Sequence, residues 1–162
     1  MASAATYTPI ATTTLGSATG SYTFSSIPQT YTDLVVVAQA TISVAAGSVV
    51  QFNGDTGNNY SYTYISGDGS SASSSRVTNN NYIQTGGFQS NGTNGAMITN
   101  ILNYSNATTY KTLLSRENAT FEVRAYVGLW RNTAAITSIT LFPTSGTYST
   151  GSTFTLYGIA SA

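Results

Sequence analysis

Phe121-Glu122-Val123-Arg124-Ala125-Tyr126-Val127-Gly128-Leu129-Trp130 decides the fold class of this 162-residue chain. Phe121, Val123, Ala125, Val127 and Leu129 share one face of an extended backbone, and Glu122, Arg124, Tyr126, Gly128 and Trp130 share the other. A period of two is that of a β-strand; wound as a helix, the same residues would be spread around the whole circumference. The pattern predicts an antiparallel strand with its aliphatic face on the core.

The same reading extends outward along the chain. Thr153-Phe154-Thr155-Leu156-Tyr157-Gly158-Ile159 alternates after a turn at Thr150-Gly151-Ser152, and Leu34-Val35-Val36-Val37 is apolar on both faces, as a central strand covered on each side would be. Further strands are predicted at Ser21–Ile27, Ser48–Phe52, Tyr60–Ile65, Tyr82–Phe88, Ala96–Tyr104, Tyr110–Ser115 and Ile136–Phe142. Within them, Ile98-Thr99-Asn100-Ile101-Leu102 also fits a short helix, with strand preferred. Turn chemistry separates the runs at Asn53-Gly54-Asp55, Gly67-Asp68-Gly69-Ser70, Asn91-Gly92 and Thr144-Ser145-Gly146. These signals predict an all-β fold: an antiparallel two-sheet β-sandwich, jelly-roll-like, of about nine or ten strands. The whole chain, 1–162, reads as one domain, with residues 1–20 expected as an extended arm or an edge strand. Ser66–Asn81, the longest polar stretch, is expected as a surface loop. The likeness of Tyr31-Thr32-Asp33-Leu34 to Tyr110-Lys111-Thr112-Leu113 follows from the few residue types in use and is no repeat.

Composition narrows function. Lys+Arg and Asp+Glu number five each, so 6% of residues are charged, against roughly 25% in ordinary soluble domains. Neutral surfaces of this kind promote association. Aromatic residues reach 12%, twelve of them Tyr, which is unlike a disordered chain. Five basic residues balanced by five acids cannot form the electropositive face that nucleic acid demands. The amino-terminal segment has neither the basic nor the apolar region of a secretory signal, and no run approaches the ~20 apolar residues of a membrane span. Synthesis in a cytoplasm is expected, with no membrane partner.

The absence of His and Cys removes histidine bases, thiol nucleophiles and thiolate metal sites. A Ser-Lys arrangement could use only Lys111, which lies in no motif. A carboxylate pair of the glycosidase kind would have to come from Asp33, Asp55, Asp68, Glu117 and Glu122. Asp55 and Asp68 lie among Gly and Asn, where Asp commonly bonds its own turn. Asn53-Gly54-Asp55-Thr56-Gly57-Asn58 has one carboxylate, too few for a typical Ca²⁺ loop. No catalytic residue, cofactor or metal is therefore expected, and the chain reads as a non-enzyme. The sequons at Asn59, Asn91, Asn103, Asn106 and Asn118 are those an Asn-, Ser- and Thr-rich chain yields by chance, and are expected to stay unmodified.

Two residue sets stand out as contact candidates. Arg124, Tyr126 and Trp130 share a strand face with Glu122 and belong to the types that dominate interface hot spots; a solvated face with a weak ion pair is the alternative. Tyr60, Tyr62 and Tyr64 align on one face and suit an interface first, the core second and glycan stacking third.

Several stretches together carry a family likeness. They are Tyr7-Thr8-Pro9-Ile10-Ala11-Thr12-Thr13-Thr14-Leu15, Tyr22-Thr23-Phe24-Ser25-Ser26-Ile27-Pro28 and Tyr31-Thr32-Asp33-Leu34-Val35, then Gln51-Phe52-Asn53-Gly54-Asp55, Asn103-Tyr104-Ser105 and Gly151–Ile159. The chain resembles small virion structural proteins of tailed bacteriophages, especially marine ones. That resemblance covers nearly the whole chain, rests on strand and turn motifs, and carries over no ligand residues. It implies a β-sandwich module on the virion, made in the host bacterial cytoplasm. The leading expectation is capsid decoration or cement, self-associating as a trimer and contacting major capsid or tail proteins. The alternative is a tail-fibre or head-fibre module binding host surface glycan.

Overall fold

The computed structural model describes residues 6–90, 95–118 and 122–160; Phe121, the Asn91-Gly92 turn and the sequon asparagine Asn91 lie outside them. Among the described residues twelve strands are formed: β1 (Tyr7–Thr14), β2 (Tyr22–Phe24), β3 (Asp33–Ala40), β4 (Ala46–Phe52), β5 (Tyr60–Gly67), β6 (Ala72–Asn80), β7 (Ile83–Phe88), β8 (Gly95–Leu102), β9 (Lys111–Asn118), β10 (Val123–Trp130), β11 (Ile139–Pro143) and β12 (Thr153–Ile159). This exceeds the nine or ten expected. The two added strands are β1, an edge strand within the amino-terminal arm, and β6, which occupies the stretch expected as a loop. Ile98–Leu102 is strand, within β8.

All pairings are antiparallel. One sheet has eight strands in the order β1-β12-β3-β8-β9-β10-β5-β6, the other four in the order β2-β11-β4-β7. Hairpins β5–β6 and β9–β10 together form one end of the larger sheet. Without them, two four-stranded sheets remain, β1-β12-β3-β8 and β2-β11-β4-β7. Apolar side chains from both sheets meet in a common core, including Leu34, Val36 and Phe154 of the larger and Val50, Phe52 and Leu141 of the smaller. Leu34, Val35 and Val36 are all buried, as a two-sided apolar run requires.

The turn at Asn53-Gly54 shows how sequence fixes a connection. Asn53 (φ 54°) and Gly54 (φ 66°) are both left-handed, and Asp55 N donates to Phe52 O at 2.9 Å, closing a four-residue turn that Asn-Gly favours. Asp68 nucleates the β5–β6 turn, its Oδ1 accepting from Ser70 N (2.8 Å) and Ser71 N (2.7 Å).

The facing of β10 corrects the sequence expectation. Tyr126, Gly128 and Trp130 point into the core, while Val123 and Val127 are exposed. Burial favours the aromatics because each ring removes roughly 150–250 Å² from water, more than a valine can. Gly128 is small by necessity: a Cβ there would lie 2.5 Å from Ile83 Cγ2.

Candidate functional site

The inward face of β9-β10-β5 is an aromatic wall. Strand register places Trp130 beside Tyr60, Gly128 beside Tyr62, Tyr126 beside Tyr64 and Arg124 beside Ser66. Trp130 stacks on Tyr60 with ring centres 6.2 Å apart and meets Phe52 of the opposite sheet at 5.5 Å. Polar tips find partners within the fold. Trp130 Nε1 donates to Asp55 Oδ2 at 2.8 Å, and Tyr60 Oη accepts from Phe52 N at 3.1 Å and donates to Asp55 O at 3.0 Å. Trp130, Tyr60 and Tyr126 have no exposed surface and Tyr62 almost none, so these contact candidates belong to the chain's own core. Tyr64 is half-buried, 5.5 Å from Tyr126, with the Arg124 guanidinium 5.9 Å from its ring centre.

At the end of this wall the structure forms the Glu122–Arg124 pair that strand spacing offered and adds Glu117, which the spacing did not connect to it. Glu117 of β9 lies opposite Arg124 of β10, which also bonds Glu122. The buried Glu117 carboxylate accepts from Gly87 N of β7 and from Tyr126 Oη (3.2 Å), with Arg124 Nη1 at 3.9 Å. Burial pushes the Glu117 carboxyl up, against the lowering pull of Gly87 N, Arg124 and Tyr126. Ser115, also on β9, donates to Thr85 O of β7 at 2.6 Å. Side chains of β9 thus occupy main-chain groups of β7, the terminal strand of the smaller sheet. Their partners make Glu117 and Ser115 a brace between the sheets.

The remaining carboxylates are engaged similarly. Burial raises the Asp55 carboxyl, but hydrogen bonds from Trp130, Asn59 and Gly57 outweigh it and hold the group below the usual range. Asp33 Oδ1 accepts from Asn103 N at 2.6 Å. Lys111 is buried, its Nζ donating to Thr109 O (2.6 Å) and Thr133 O (3.0 Å), and desolvation lowers its pKa.

The outward face of β9-β10-β5-β6 is different in kind. Register aligns Arg116, Ala125, Ile65 and Ser74 in one row across the four strands, and Leu114, Val127, Thr63 and Arg76 in the next. Val123, Gly67 and Ala72 continue the face towards the β5–β6 turn. Val123 is 65% exposed, Ile65 61%, Val127 56% and Leu114 42%. Between them runs an open groove of about 750 Å³, lined chiefly by Ile65, Ala72, Ser74, Arg116, Val123 and Ala125. A second hollow, lined by residues including Thr63, Arg76, Val127 and Leu129, extends it along the same face. Four exposed aliphatic side chains on one sheet face are more than a scatter of single surface apolar residues. The strand pattern contained this face, but the sign of its burial was concealed by the aromatic residues opposite.

No protein-family model matches the chain, and no curated protein does. Among solved structures, a protein of unknown function from Shewanella oneidensis MR-1 aligns at 10% identity and a TM-score of 0.21, over 85% of this chain and 62% of that one. A likeness so weak bears on neither fold class nor function.

Proposed function

We propose that this chain is a non-enzymatic structural protein on the outer surface of a tailed-phage virion, acting as capsid decoration or cement. The supporting observation is the exposed aliphatic face of β9-β10-β5-β6, on a chain whose carboxylates serve as turn caps, braces and ion pairs. In this reading the face covers apolar surface on neighbouring coat subunits and adds contact area that resists pressure from within the shell. The strand orders β1-β12-β3-β8 and β2-β11-β4-β7 suit a jelly-roll sandwich with two hairpins added to one sheet. That architecture recurs in viral coat and lectin domains, and fold analogy sets only a prior for function. Self-association as a trimer remains part of the proposal.

The glycan-binding fibre alternative draws on the Tyr60, Tyr62 and Tyr64 row and on the Asn- and Gly-rich loops. With Tyr60 and Tyr62 buried, the row offers only the half-buried Tyr64, and further stacking would have to use other rings, such as the exposed Tyr110. Decoration is therefore preferred.

The test adds purified protein to phage shells that lack it, measuring bound copies and the temperature at which the shells open. Saturable binding with a higher opening temperature supports decoration. Absence of binding, or adsorption to host cells in its place, sinks it.

A further inference from the structure

The ionic side chains are distributed unevenly. Asp33, Asp55, Asp68, Glu117 and Glu122 all accept hydrogen bonds within the fold, and Lys111, Arg124 and Arg131 all donate them. Among the ionic side chains of the described residues, those of Arg76 and Arg116 alone make no hydrogen bond or ion pair, and both stand on the outward face of β9-β10-β5-β6. Arg116 stands in one row on β9, beside Ile98 of β8; Arg76 stands in the next row on β6, the edge strand three strands away. Strand spacing and rise put their backbones on the order of 16 Å apart, with Ile65, Ala125 and Val127 between them.

We infer that this face docks an apolar surface of a different protein that carries carboxylates at its margins, one for each arginine. The inference deepens the assembly role proposed above and rests on it. Charge selects the occupant. A second copy laid face to face across a two-fold axis would bring its own arginines within about a row of Arg76 and Arg116, and like charges in a desolvating contact oppose association. A carboxylate-bearing partner turns the same desolvation into paired, directional contacts. Four strands of about eight residues present a footprint on the order of 500 Å² per partner, at the low end for a specific complex. Single contacts should be weak and salt-sensitive, which suits a component attached at many equivalent places.

The test uses fluorescence anisotropy with two labelled short peptides, one alternating leucine with glutamate and one alternating leucine with lysine. The wild-type chain should bind the glutamate peptide about tenfold more tightly than the lysine peptide. Arg76→Glu with Arg116→Glu should invert that order, and Val127→Asp should remove binding of both peptides while leaving the near-ultraviolet circular dichroism unchanged. Equal or absent binding of the two peptides by wild type overturns the inference. So does concentration-dependent dimerisation that Val127→Asp abolishes, because a second copy would then be the occupant. Shell binding with no peptide preference sinks this inference alone; peptide preference with no shell binding sinks the decoration role alone.

Discussion

The two faces of the β9-β10-β5-β6 region reverse the usual assignment of residues to interior and surface. Inside stand Trp130, Tyr60, Tyr62 and Tyr126, side chains with polar tips, together with a buried carboxylate; outside stand Val123, Val127, Ile65 and Leu114. Transfer scales rank the second set as the more oil-loving. The core follows ring area and the chance to settle each tip: indole on Asp55, phenol on Phe52 and Asp55, phenol on Glu117. The aliphatic set is left on the surface, outside the packed interior.

If that division holds, substitutions on the two faces should differ sharply in cost. Trp130→Ala should be the most damaging, by about 3–5 kcal/mol in chemical denaturation, since it empties a ring-sized space and removes a hydrogen bond to Asp55. Gly128→Ala should cost roughly 1–3 kcal/mol, because the new methyl meets Ile83 and Leu113. On the outer face, Val127→Thr and Ile65→Thr should each stay within about 0.5 kcal/mol of wild type in the same assay. A large loss from either would show that the aliphatic face supports the fold after all.

A smaller effect lies in pH. Glu117 has a folded pKa raised above the reference 4.5, so between the two values the folded state holds its proton more tightly than the unfolded chain. Its contribution is present below the unfolded value and lost as pH rises through the folded one. Stability followed by thermal melting should therefore increase as pH drops from neutral towards 4.5, and Glu117→Gln should flatten that rise. Asp55 has the opposite sign: held below its reference 3.8, it contributes above that value and loses its contribution as pH falls further.

Period-two alternation made most strands legible, and Asn-Gly and Asp-Gly made their turns so. It was faintest in the two edge strands, β1 and β6, where few side chains reach the core. In β6, Ser73, Ser74 and Ser75 are exposed and the strand pairs only with β5, so Val77 alone marks its inward face with an apolar side chain. β1 contains Pro9 and a register shift between Pro9 and Ala11, which left its sequence open between an arm and the edge strand it forms. For β10 the period was readable but its phase was not, because Val and Leu outrank Tyr and Trp in hydropathy while the ring partners come from distant β4 and β5. The Glu117–Arg124–Glu122 cluster was hidden similarly: Glu117 and Arg124 face each other only once β9 folds back on β10.

The bonds from Ser115 and Glu117 to β7 make the β9–β10 hairpin more than an appendage. A version shortened by that hairpin would leave the amide of Gly87 and the carbonyl of Thr85 without these acceptor and donor groups, baring the margin of the four-stranded sheet. Such an open border recruits whatever extended chain is nearby. The trimmed molecule should consequently string into fibres or precipitate more readily than the full one.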